Sequence, residues 1–147
     1  MVKVSDGYSL LEILLVVTII GIFASVAVPY FGTGLMQRMN TYTTARQIAS
    51  DLTYTRTLAV AANKNHILRF YPAESPYTQY KIFLSDGGEV QVGHTREIDG
   101  NIVCTGGREY TFEPLGNATA DGMLSVTSGT YQYDVKVIAV TGRTYVD

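Results

Sequence analysis

Gly7-Tyr8-Ser9-Leu10-Leu11-Glu12 runs into Ile13-Leu-Leu-Val-Val-Thr-Ile-Ile-Gly-Ile-Phe-Ala-Ser-Val-Ala-Val-Pro29, and no charged side chain follows Glu12 until Arg38. In a helix, at about 1.5 Å per residue, an apolar run of this length reaches across the roughly 30 Å hydrocarbon layer of a bilayer. The expectation is a membrane helix over 8–29. A cleaved secretory signal would need a shorter apolar core, of about 7–15 residues, followed by a small-residue cut site. Ala24-Ser25-Val26-Ala27 has the composition of such a site, but the apolar run starts too early and continues too far. Glu12 is the anomaly. A carboxylate in lipid costs about 2.5 kcal/mol or more and calls for a partner, unless it lies at the headgroup level.

Glycine, an aromatic residue, and a carboxylate four positions further on at the head of an apolar helix closely resemble the processing and anchoring segment of type IV pilins and pseudopilins. The resemblance implies a leader, 1–7, that a membrane aspartyl prepilin peptidase removes after Gly7 and whose loss is followed by N-methylation of Tyr8. Tyrosine stands where that family mostly has Phe or Met. Glu12 matches the family's assembly carboxylate, and Pro29 falls at its helix-bending proline. The new ammonium on Tyr8, of the same or a neighbouring chain, would then neutralise Glu12 as subunits pack. In the leader, Lys3 is the one basic side chain and Asp6 is atypical. That weakens the orientation signal without reversing it, because no competing Lys/Arg cluster follows closely.

The rest of the 147 residues suits one domain with a real core, 30–147. A net charge of −2 gives no electrostatic footprint for nucleic acid. The eleven tyrosines suit half-buried strands and interfaces, each joining apolar area to a polar tip. A single cysteine, Cys104, excludes an intramolecular disulfide and a Cys-pair zinc site, and its strand-like setting predicts a buried, inert thiol.

Proline and glycine at Pro29, Gly32 and Gly34 mark a soft spot in the helix. From 34 to 63 the pattern turns amphipathic, with Leu35, Met39, Tyr42, Ala45, Ala49, Leu52, Ala59 and Ala62 as the expected buried stripe. Asn63-Lys64-Asn65 is the expected stop, because asparagine tolerates the left-handed cap. Beyond it the period becomes two, over 66–147. Strands are expected at 66–71, 78–84, 89–96, 101–104, 108–113, 123–127, 131–140 and 144–146, with glycine-bearing turns between them. The fold class is therefore α+β: a long N-terminal helix, membrane anchor first and amphipathic half second, packed on antiparallel β-sheets.

Three further stretches resemble the minor-pseudopilin branch that contains the H component of type II secretion and the FimT pilins. They are the Ala-rich, Arg-bearing 45–62, the Phe112-Glu-Pro114-Leu-Gly116 turn, and Val135-Lys-Val137 with Thr141-Gly142-Arg143. The resemblance implies a non-enzymatic filament subunit of a secretion pseudopilus or a pilus tip. It would be held single-pass in a bacterial inner membrane with its domain outside. Its partners would be other pilin or pseudopilin subunits, the prepilin peptidase, an inner-membrane assembly platform and, before assembly, membrane lipid.

DNA uptake is the rival reading. Some FimT-like pilins bind DNA through a Gly-Arg-x-Arg motif, matched here by Gly142-Arg143-Thr144-Tyr145 with the second arginine missing. Lys136 and Arg143, with Arg108, are the candidate contacts, too few to favour nucleic acid as a partner. A membrane-anchored enzyme is disfavoured. His66 and His94 lack an acid–nucleophile pattern, and no phosphate loop occurs. The loop acids Asp86, Glu89, Asp99 and Asp121 do not alternate as a calcium loop requires, so no metal or other cofactor is expected.

Overall fold

The computed structural model describes residues 9–85 and 87–147, without the side chains of Val26 and of 28–33. The expected leader, Gly7 and Tyr8 lie outside the described residues, as do Asp86 and the side chain of Pro29. One helix is followed by strands: α1 (Leu10–Ala62), β1 (Asn65–Tyr71), β2 (Gln79–Ser85), β3 (Glu89–Glu97), β4 (Val103–Gly106), β5 (Glu109–Phe112), β6 (Gly122–Ser128), β7 (Tyr131–Ile138) and β8 (Arg143–Val146). The chain divides into two compact units, Met1–Met36 and Gln37–Asp147.

In the first unit the helix starts where the Ser9 carbonyl accepts hydrogen bonds from the Glu12 and Ile13 amides, at 2.9 and 3.2 Å. Leu10, Leu11, Ile13, Leu14, Ile20, Ile22 and Phe23 are all exposed. The helix is continuous through Pro29 and Gly34, the soft spot of the sequence. A proline inside a helix removes one backbone donor, and here the element runs on through that loss. Among the described residues no helix is long and apolar enough to cross a membrane. The expected span, 8–29, includes Tyr8, Val26, Val28 and Pro29, which fall wholly or in their side chains outside those residues.

The second unit packs the C-terminal half of α1 against two four-stranded antiparallel sheets, ordered β3-β2-β1-β5 and β4-β6-β7-β8. The buried helix stripe is Thr41, Ala45, Ile48, Leu52, Thr55 and Ala59. The sequence reading found Ala45, Leu52 and Ala59 but missed Ile48 and both threonines. Leu35, Met39, Tyr42 and Ala62, expected inside, are exposed. Thr41 and Thr55 can be buried because their hydroxyls donate to the carbonyls one turn back, Gln37 at 2.6 Å and Asp51 at 2.7 Å. Each then presents a methyl face to the core. The helix ends as its asparagine suggested. Asn63 has φ 53°, its amide reaches the Val60 carbonyl, and the Lys64 amide reaches the Ala59 carbonyl. These two bonds form a left-handed C-cap.

One hydrophobic cluster joins helix and both sheets: Ile48 and Leu52 from α1, Leu68, Phe70 and Phe112 from the first sheet, Leu124, Val126 and Val135 from the second. Phe70 is ringed by Tyr77, Tyr80 and Tyr110, with ring centroids 5.3, 5.3 and 6.2 Å away. Two of these tyrosines carry their hydroxyls to partners at the edge of the core, Gly106 O at 2.9 Å and Asp51 Oδ2 at 2.6 Å. That is the use of a polar tip on an apolar ring.

Strand limits moved where local hydrogen bonds won over propensity. The strand expected at 101–104 is β4, Val103–Gly106. Asp99 Oδ1 accepts the Asn101 amide and the Asp99 carbonyl accepts the Ile102 amide, which draws both residues into a turn. The strand expected to reach Val140 stops at Ile138. The Ala139 amide is taken by Asp121 Oδ1 and the Gly142 amide returns to the Ile138 carbonyl.

Candidate functional site

The first candidate is the N-terminal helix. Along its described apolar part the side chains able to hydrogen-bond are Glu12, Thr18 and Ser25. Thr18 and Ser25 donate to the Leu15 and Ile22 carbonyls, each at 2.7 Å. Their polarity is thus satisfied within the helix. Glu12 lies in the first turn, exposed among leucines and isoleucines. A carboxylate there is favoured by the helix N-terminal dipole. Gly7, Tyr8 and the Pro29 side chain lie outside the described residues.

The second is a junction in the domain that gathers the three other motif stretches. The Arg56 Nε–H donates to the Gly116 carbonyl at 2.6 Å. Gly116, at the end of the Phe112–Gly116 turn, has φ +84°, and Gly142 has φ +60°. A Cβ on Gly142 would lie 2.0 Å from the Gly116 carbonyl oxygen and 3.0 Å from Arg56 Nε. Glycine is required here both by the left-handed backbone and by the close approach. The turn is closed by the Gly116 amide on the Glu113 carbonyl and by Asn117 Nδ2 on Glu113 Oε2. Its role is mechanical: it pins the last loops of both sheets to the helix, leaving Leu115 and Val140 exposed side by side.

Of the candidate DNA contacts, Lys136 and Arg143 share one face but do not make a free basic patch. Lys136 faces Tyr145 across β7–β8, and Arg143 faces Ile138, so both cations lie on the outer side of this pair. Lys136 Nζ donates to the Asp147 carboxylate, and this contact raises its pKa. Arg143 is exposed. Arg108 follows β4, at the opposite edge of the sheet from β8.

Several acids and one histidine are held in ion pairs, turns and a local hydrogen bond. Glu89 pairs with Arg69 through two 2.6 Å bonds, which lower its pKa, while Arg69 Nε reaches Glu109 at 2.7 Å. Asp99 and Asp121 hold the turns described above. His66 is buried with Nδ1 3.0 Å from the Lys64 carbonyl, and His94 is exposed. Among the described residues no three His, Cys, Asp or Glu side chains are placed to hold a metal ion. Sequence reasoning missed the Asp51 network, in which a helix carboxylate accepts Tyr80 OH at 2.6 Å and meets Arg96 Nε at 3.5 Å. The Asp51, Tyr80 and Arg96 positions lie far apart in the chain, and their only local signal was an acid on a helix otherwise facing a core.

No protein-family description matches this chain, and no curated protein sequence does. Solved structures do. The type IV minor pilin FimU of Pseudomonas aeruginosa superposes with a TM-score of 0.64 at 12% identity, over 77% of this chain and 92% of that one. The minor pseudopilin EpsH of the Vibrio cholerae type 2 secretion system gives 0.62 at 10% identity, over 74% and 96%. With a helix on two antiparallel sheets in common, this chain has the pilin-like α+β fold of these minor pilin and pseudopilin structures.

Proposed function

We propose that the chain is a structural, non-enzymatic minor subunit of a type IV-like filament, either a type II secretion pseudopilus or a pilus tip. The observation that carries the reading is Glu12. It is an ionisable side chain in the first turn of a helix that exposes a long apolar surface, and that helix continues into a pilin-like domain. Exposed apolar surface of this extent must be covered by lipid or by neighbouring helices. A carboxylate inside it is stabilised by a cation brought at assembly. In this reading 1–7 is a leader cut after Gly7 by a prepilin peptidase. Tyr8 becomes the N-methylated terminus, and 8–29 spans an inner membrane until the assembly platform extracts it. Pro29 then marks where the filament core ends. The partners are other pilin or pseudopilin subunits.

The test is mass spectrometry of the protein extracted from membranes. The expected first residue is a methylated Tyr8, and Gly7→Val is expected to leave the precursor uncut. A native chain beginning at Met1, or a mature-size product from Gly7→Val, overturns the reading.

A further inference from the structure

The outer edge of β8 is an unpaired strand edge lying in a groove. Among the described residues β8 is the last strand of its sheet and pairs only with β7. Asp134 and Asp147 exchange both main-chain hydrogen bonds, at 3.1 and 3.0 Å. In an antiparallel ladder bonded pairs alternate with unbonded ones, so Tyr145 and Arg143 bond to β7 while Thr144 and Val146 turn their peptide groups away from it. Those outward groups border a groove of about 660 Å³ whose other wall is the helix, with Tyr42, Arg46, Thr53 and Tyr54. The hydroxyl of Thr144 is buried without a hydrogen-bond partner. Arg46 stacks on Tyr42 with its guanidinium carbon 4.9 Å from the ring centroid, and among the described residues it pairs with no carboxylate.

From this geometry we infer that the groove receives an extended, acid-bearing segment of a partner protein, which adds as a further strand beside β8. Two unpaired peptide groups two residues apart match an extended backbone, because a helix satisfies its own amides and carbonyls. The helix wall from Tyr42 to Thr57 is about 22 Å long at 1.5 Å per residue. About seven residues of extended chain fill that length. Arg46 selects the charge, since a guanidinium held on an aromatic ring offers a planar fork to a carboxylate. The two tyrosines supply rigid apolar contact. The inference needs only Gln37–Asp147 and stands apart from the filament reading.

The test uses the full-length chain in detergent micelles. The probe is a fluorescein-labelled peptide of about nine alternating serines and valines with a central glutamate. Its twins carry lysine at the centre or N-methyl groups on alternate amides. The glutamate peptide is expected to bind about tenfold or more tightly than either twin. Thr144→Pro removes an outward amide while leaving the bonds of Arg143 and Tyr145 to β7, and edge strands tolerate proline. It is expected to lose binding of all three peptides with its melting temperature unchanged. Arg46→Gln is expected to erase the preference for glutamate over lysine. Equal binding of the glutamate and lysine peptides, or binding that survives Thr144→Pro, overturns the proposal. So does the absence of binding by any peptide. If that absence accompanies self-association abolished by Thr144→Pro, the occupant is a second copy of the chain.

Discussion

Cys104 is wholly buried on β4, and burial pushes its thiol from an ordinary 9.0 up to about 12. Burial also raises Tyr80, with the Asp51 carboxylate it bonds adding to the shift, and it raises Tyr110, whose hydroxyl has no partner. All three groups keep their protons in the fold at a pH where the unfolded chain releases them. Their contribution to stability is therefore complete below the unfolded thiol value and declines as pH rises above it. The melting temperature is expected to fall steadily from about pH 9 to 11, and Cys104→Ala should flatten the first part of that fall. An identical slope in the variant would remove the thiol from the explanation. The burial of Cys104 was legible from Asn-Ile-Val-Cys alone. The convergence of Gly116 and Gly142 on Arg56 was not. Each glycine announces a turn, but which turns touch depends on how two sheets close over one helix.

At the scale of the element, α1 shows how a periodic pattern fixes a helix yet misplaces its inner face. Small steps in the three-and-four rhythm let two adjacent stripes fit the same residues. Alanines fit either stripe, and threonine counts as polar until its hydroxyl is seen bonded to its own helix. Leu52 has no exposure and sits in the core, whereas Met39 keeps 56% of its surface exposed. Leu52→Ala is expected to destabilise the domain by about 2–5 kcal/mol through lost burial and a residual cavity. Met39→Ala, on the same helix and in the same notional stripe, should stay within about 0.5 kcal/mol. Urea denaturation of the two variants side by side checks both, and equal losses would restore the stripe read from periodicity. Strands fared better. Their side chains alternate with a period of two, and glycine, proline and asparagine mark most turns, so each expected strand is present and the differences lie at strand ends.

For the whole molecule, the proposed work is assembly. Glu12→Leu removes the one described acid of the apolar helix segment without shortening it. The variant is expected to be processed and retained in membranes like the parent chain but to enter filaments at a small fraction of the parent's level, read by shearing and immunoblotting. Normal incorporation would make charge pairing dispensable. The sequence by itself determined the order of elements, the helix stop at Asn63, the α+β class and the polarity anomaly at Glu12. Each of these depends on neighbours within a few residues, where period, cap and charge act locally. Only the tertiary structure decided which face of α1 is buried, that Asp51 and Arg56 reach across to the sheets, and that β8 is left with an open edge beside Arg46. Those outcomes are set by contacts between residues thirty to a hundred positions apart, and no local pattern encodes which strand ends up at the rim of a sheet.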